Sequence, residues 1–327
     1  MENDHFYDSG SVHIGSTRIG CWKAGGHGDQ TYLQVLQNSC NPGFVKLGQM
    51  LGKEKLFSYL DLFGFGKKTG IDLNGEGKGI IFNLNRVGEL ELVTTAFGQG
   101  VSVTPIQQVT AVSSIVNGGN LYKPYVVKNI LEPDGNSIIK SNNPVLVRKT
   151  ISEETSNKMR YALETVVALG GGKAAYIDGY RVGGKTGTAQ KVENGKYLVG
   201  NYIMSFMSVV PANDPKAVLY IALDNPKNTA LLSSYTTTPI ARRVLLDIID
   251  ALNIEKQPNQ IEKDYTREDK IYYEIPNVTG MDVKEAKKLL TNWHIEYVGS
   301  GDKVITQSPK AGERLAADDT IILLLSD

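Results

Sequence analysis

The stretch Arg181 to Gln190 constrains this chain more than any other. It reads Arg-Val-Gly-Gly-Lys-Thr-Gly-Thr-Ala-Gln, a lysine and two threonines among glycines, on a backbone that a ligand can approach closely. After Lys191-Val192 come a turn-like Glu193-Asn194-Gly195-Lys196 and the apolar run Tyr202 to Pro211. This pattern predicts a strand and its antiparallel partner, with Asn-Gly marking the hairpin. On a sheet edge, such a strand offers free backbone groups, an ammonium and hydroxyls to an extended peptide.

The composition can build a core to carry that hairpin. With 327 residues, the chain fits one large domain or a large domain plus a small one. Its 41% hydrophobic and 21% charged residues are those of a globular protein, and a net charge of zero implies no nucleic-acid or anionic-membrane partner. Cys21 and Cys40 do not make a disulfide framework; they either pair or stand as isolated thiols, the favoured reading. Met1 to Tyr7 has neither a basic n-region nor an apolar h-region, and no run of about 18 apolar residues follows. The chain therefore reads as soluble, without signal peptide or membrane span.

Residues 1–28 look like loops and short strands, a start that points to a chain beginning inside a domain. From Thr31 the pattern is helical to Asn38; Pro42 opens a second helix and Glu54 to Phe63 forms a third, ending at Gly64. Six glycines from Gly64 to Gly79 predict loop, with a short extended piece at Ile71 to Leu73. Thr104 and Pro105 cap and open a helix closed by Asn117-Gly118-Gly119. A hairpin turns at Pro133 to Asn136, and Ser152 caps a helix over Glu153 to Leu169. Ala217 to Leu223 is a third strand of the sheet, and Thr238-Pro239 repeats the capping signature for a helix to about Leu252. Strands and helices come in blocks, which argues for an α+β sheet covered by helices over 1–252. Residues 253–273 are polar and proline-containing, a linker by composition. Residues 274–327 read as a separate unit with one helix, Asp282 to Leu290, and three strands, Ile295–Val298, Val304–Gln307 and Thr320–Leu325.

Four short motifs share this frame: Lys185-Thr186-Gly187, Ser39-Cys40-Asn41 between two helices, Gly98-Gln99-Gly100…Thr104-Pro105-x-Gln107, and Gly26-His27-Gly28. Singly, each has a plain alternative. Ser39 and Asn41 fit helix capping, Lys185 fits a solvated strand lysine, and the glycines fit turns. His27 reads as structural. With four histidines and dispersed cysteines, no metal site or cofactor is indicated.

In joint order and context, the four motifs resemble the transpeptidase domain of class B penicillin-binding proteins. The tail, opening Ile275-Pro276-Asn277-Val278 and turning at Gln307-Ser308-Pro309-Lys310-Ala311-Gly312, resembles a single PASTA domain. The pairing is most similar to sporulation-type and division-type enzymes of Gram-positive bacteria. The resemblance implies the penicillin-binding/serine β-lactamase-like fold plus a small α+β PASTA domain. It also implies acyl transfer in peptidoglycan cross-linking on the outer side of the cytoplasmic membrane, with D-Ala-D-Ala stem peptides and β-lactams as ligands. Carried onto this sequence, Ser39 relays a proton, Asn41 holds the substrate amide and Lys185 supports the network. Thr186, Gly187 and Thr188 take the substrate carboxylate, with an oxyanion N–H at Thr188.

One part of the pattern is missing. The family's nucleophile lies in a Ser-x-x-Lys motif opening a helix upstream of Ser-x-Asn, and residues 1–38 hold none. Ser137-Ile138-Ile139-Lys140 falls on a predicted strand, where positions one and four point to opposite faces, and Ser300-Gly301-Asp302-Lys303 lies between strands of the tail. The sequence thus predicts a truncated transpeptidase domain unable to acylate by itself and prone to self-association through apolar surface. A non-catalytic cell-wall-binding or scaffold protein is the alternative. A β-lactam sensor or β-lactamase is disfavoured by the PASTA-like tail.

Overall fold

The structure, a computed structural model, describes residues 4–23, 25–193, 196–227, 233–264, 272–317 and 319–326. Four short strands open the chain: β1 (His5–Asp8), β2 (Ser11–Ile14), β3 (Thr17–Gly20) and β4 (Gly28–Thr31), with β2 paired to β3 and β1 to β4. Helices α1 (Tyr32–Asn38), α2 (Asn41–Leu51) and α3 (Lys53–Leu62) follow. Thr31 starts α1 through a capping box with Gln34, and Ser39 ends it in the left-handed region at φ 52°.

Helix α4 (Glu89–Ala96) is the one the sequence does not announce. Its cap is Gly88, whose N–H donates to the Glu91 carboxylate at 2.9 Å, so the usual side-chain cap is missing. Nor does Ile71 to Leu73 form the expected extended piece: Asp72 accepts the N–H groups of Val126 and Val127 at 2.7 and 3.0 Å and draws the segment into an irregular loop. Helix α5 (Pro105–Val116) precedes the nested pairs β5 (Asn120–Tyr122) with β8 (Leu146–Lys149) and β6 (Asn129–Leu131) with β7 (Ile138–Ser141).

The central sheet follows α6 (Glu153–Leu169). It contains β9 (Gly183–Glu193), β10 (Lys196–Val210) and β11 (Ala217–Asp224) in the order β11-β10-β9, antiparallel throughout, so β9 lies at an edge. The expected Asn194-Gly195 turn lies outside the described residues. Strand β10 is buried on both faces. Phe206 and Val210 join Ala241, Leu245 and Ile249 of α7 (Ser233–Ala251), while Val209 joins Val116 of α5 and Leu163 of α6. Thr238-Pro239 does not open α7 as the sequence predicts. Pro239 lies inside a helix already running from Ser233, and the Thr237 and Thr238 hydroxyls donate to the Ser233 and Ser234 carbonyls one turn back.

Residues 253–264, polar enough to read as linker, pack along the first unit. The Gln257 N–H donates to Gly179 O at 2.6 Å, Asp264 N–H to Ala168 O at 3.0 Å, and Ile261 N–H to the buried Glu164 carboxylate at 3.3 Å. The tail folds as β12 (Tyr272–Glu274), α8 (Val283–Leu289), β13 (His294–Val298), β14 (Lys303–Ser308), β15 (Arg314–Ala316) and β16 (Thr320–Ser326). Its sheet runs β13-β16-β14 over a core of Val278, Leu290, Trp293, Val304, Ile321 and Leu323. No helix among the described residues is long and apolar enough to cross a membrane.

Candidate active site

Strand β9 is fixed at its start. The Arg181 guanidinium donates to the Glu164 carboxylate at 2.8 Å (Nη2 to Oε2), and Glu164 is only 2% exposed. Within the strand, Gly184 lies against the Phe206 ring: a Cβ there would come within 2.4 Å of Phe206 Cζ and 2.7 Å of Met207 O. Only glycine lets β9 lie this close to β10, and that closeness sets where the next residue, Lys185, projects.

Lys185 reaches across to the α1–α2 junction. Its Nζ donates to Ser39 Oγ at 2.7 Å and to Thr186 O at 2.9 Å. Burial strips water from the ammonium and lowers its pKa from 10.5 to about 8. Ser39 is held out by the left-handed end of α1, and that end is tied to the sheet through the turn after α6: Gly171 N–H donates to Gln37 O at 3.1 Å. Asn41, at the start of α2, donates its amide to Gly20 O at 3.2 Å, which places it beside the Ser39–Lys185 pair and not in it. Further along the edge, Thr188 is exposed and its hydroxyl lies 2.8 Å from that of Ser233, which in turn donates to Gly187 O. Sequence reasoning missed Ser233. The signal was the Ser233-Ser234 pair upstream of Thr238-Pro239, passed over because the helix was expected to begin later.

Lys185 with Ser39 lies near the start of β9, and Thr188 with Ser233 three residues further along the same edge strand, an arrangement suited to an extended peptide ending in a carboxylate. The Gly98…Gln107 motif acts at a distance. Gln107 closes a capping box with Thr104, and its Nε2 donates to Lys67 O and Lys78 O at 2.7 and 2.9 Å, pinning the 64–79 loop. The literal Ser-x-x-Lys matches fall off helices: Ile138 to Lys140 lie in β7, and Lys303 opens β14. The Cys and His residues that looked dispersed are gathered instead. Asp8, Cys21, His27 and Cys40 bring one donor atom each to within 4.8 Å of one another.

Residues 1–247 match the family model of the penicillin binding protein transpeptidase domain, and residues 273–327 match that of the PASTA domain. The chain belongs to the penicillin-binding protein transpeptidase family. It is 52% identical over all 327 residues to the Stage V sporulation protein D of Bacillus subtilis, of which it spans 51%. It is 30% identical over 293 residues to a peptidoglycan D,D-transpeptidase FtsI homolog of Mesostigma viride, covering 80% of this chain and 47% of that one. The chain thus spans about half the length of these curated relatives. Among solved structures, penicillin binding protein 3 of Mycobacterium tuberculosis complexed with ampicillin superposes at a TM-score of 0.72 and 26% identity, over 81% of this chain and 61% of that one. Penicillin Binding Protein 2X of Streptococcus thermophilus matches the fold over 100% of this chain and 49% of its own, at a TM-score of 0.67 and 20% identity.

Proposed function

We propose that this chain carries the peptide-holding side of a peptidoglycan D,D-transpeptidase acting outside the cytoplasmic membrane, on D-Ala-D-Ala stem peptides and on β-lactams that mimic them. The observation that carries the reading is the 2.7 Å contact of Lys185 Nζ with Ser39 Oγ, which joins two motifs 146 positions apart. In this reading Ser39 relays a proton towards the leaving amine and Lys185 supplies positive charge. Asn41 holds the substrate amide, Thr186, Gly187 and Thr188 receive the terminal carboxylate, and the Thr188 N–H helps hold the developing oxyanion. The organisation proposed is a transpeptidase unit over 1–252, a connecting segment over 253–273 and a PASTA unit over 274–327.

Acylation needs a serine nucleophile, and these 327 residues hold no Ser-x-x-Lys on a helix. The chain by itself is therefore proposed to bind without acylating. Incubation with a fluorescent penicillin followed by denaturing electrophoresis tests this: no labelled band is expected, and a covalently labelled band would contradict it.

A further inference from the structure

Behind Thr188 the hydroxyls form a chain. Ser233 opens α7, 45 positions from Thr188 in sequence, and is 1% exposed. Its place is set by two threonines of the same helical turn. Thr237 donates its hydroxyl to Ser233 O at 3.0 Å, and the Thr236 hydroxyl donates to Met204 Sδ at 3.3 Å. Met204 is the β10 register partner of Thr188, so the first turn of α7 is anchored on the same rung of the sheet as Thr188. Gly187, one residue before Thr188, leaves room for a further serine: a Cβ there would come within 2.7 Å of Ser205 Oγ. The Gly187 carbonyl thus receives two hydroxyls, that of Ser233 and, at 3.5 Å, that of Ser205.

The direction of each proton follows from what can donate. A carbonyl only accepts, so the single proton of Ser233 is committed to Gly187 O. At the 2.8 Å contact between the two hydroxyls, Thr188 is then the donor and Ser233 the acceptor. In this resting direction the exposed Thr188 turns its proton away from the cleft and shows it only lone pairs, which repel a carboxylate.

We propose that Ser233 is a positioning residue that reverses this chain when a terminal carboxylate arrives. Both hydroxyls rotate about their C–O bonds, and no proton leaves its oxygen. Ser233 then donates to Thr188 Oγ1, Thr188 donates to the carboxylate, and the Gly187 carbonyl keeps the Ser205 hydroxyl. In the reversed chain each hydrogen bond polarises the next, so Thr188 becomes a stronger donor than it is alone. A C-terminal carboxamide gains far less. Its acceptor is uncharged, and its NH₂ can be met by the Thr188 lone pairs in the resting direction. Ser233 therefore sets the preference of this end of the cleft for a free carboxylate over a carboxamide.

This role rests on the proposed reading of the site as a peptide-carboxylate cleft, and one experiment separates the two. The full 327-residue chain and its variants are titrated calorimetrically at pH 7 with an N-acylated D-Ala-D-Ala peptide and with the same peptide ending in a carboxamide. Wild type should prefer the carboxylate. Ser233→Ala should weaken binding of the carboxylate peptide about fivefold or more and that of the carboxamide less than about twofold. Ser233→Cys, close in size and a weak donor, should shift the ratio in the same direction and takes the place of the alanine variant should that not fold. In a Thr188→Val background Ser233→Ala should have no further effect, because the hydroxyl it orients is gone. An equal loss for both peptides, an unchanged ratio, or a full effect of Ser233→Ala without the Thr188 hydroxyl overturns the role of Ser233 and leaves the cleft reading standing. No binding of either peptide by wild type overturns the cleft reading and this role with it.

Discussion

Lys185 carries its charge where water is scarce, and that makes it sensitive to pH in an accessible range. Its pKa falls from 10.5 to about 8, so in the native chain the ammonium is charged below about pH 8 and neutral above it. Affinity for a peptide carboxylate should therefore fall as pH rises through 8, a decline that calorimetric titration at pH 6.5 and 9.5 would register. The stability sign is opposite to that of a paired lysine. The unfolded chain holds the proton up to about 10.5, so this group makes stability rise with pH between about 8 and 10.5 and leaves it unchanged below. Denaturation of Lys185→Met across that window should show the rise removed. Gly184 is the second residue on which the site turns. Gly184→Ala would drive a methyl into Phe206 and the Met207 carbonyl, displacing β9, and peptide binding should drop at least tenfold while the far-UV circular dichroism stays native.

The elements that place the site were mostly legible in the sequence, because their signals are local. Thr104 and Ser152 cap the helices they were expected to cap, and the strand expected from the Arg181 to Gln190 stretch is β9. Thr104→Ala should cost about 1 kcal/mol in chemical denaturation. What was not legible depends on contacts distant in sequence. The Glu164–Arg181 pair, 17 positions apart, holds the start of β9, and Glu164 also accepts from Ile261 N–H, so a stretch polar in composition packs against the unit before it. Removing one partner of such a pair leaves the other buried and unpaired. Arg181→Met is expected to destabilise by about 3 kcal/mol and to expose residues 253–264 to limited proteolysis.

At the scale of the whole molecule, the two matched regions have separate cores, one around Phe206 and Leu245 and the other around Trp293 and Leu323. Phe206→Ala should cost about 3–5 kcal/mol and, because Gly184 rests on the same ring, disturb the site as well as the core. The apolar run Tyr202 to Pro211, followed by Ala217 to Leu223, allowed the sheet to be read from sequence. The joining of Ser39 to Lys185 could not be read that way and rested on resemblance, since no local pattern says which helix end meets which strand. That contact is also the most direct point of test. Calorimetric titration of the full chain with an N-acylated D-Ala-D-Ala peptide, for wild type and Lys185→Met, asks whether the Ser39–Lys185 line holds a peptide carboxylate. The account predicts measurable binding by wild type at pH 7 and at least a tenfold loss in the variant; no binding by wild type, or equal binding by both, would contradict it.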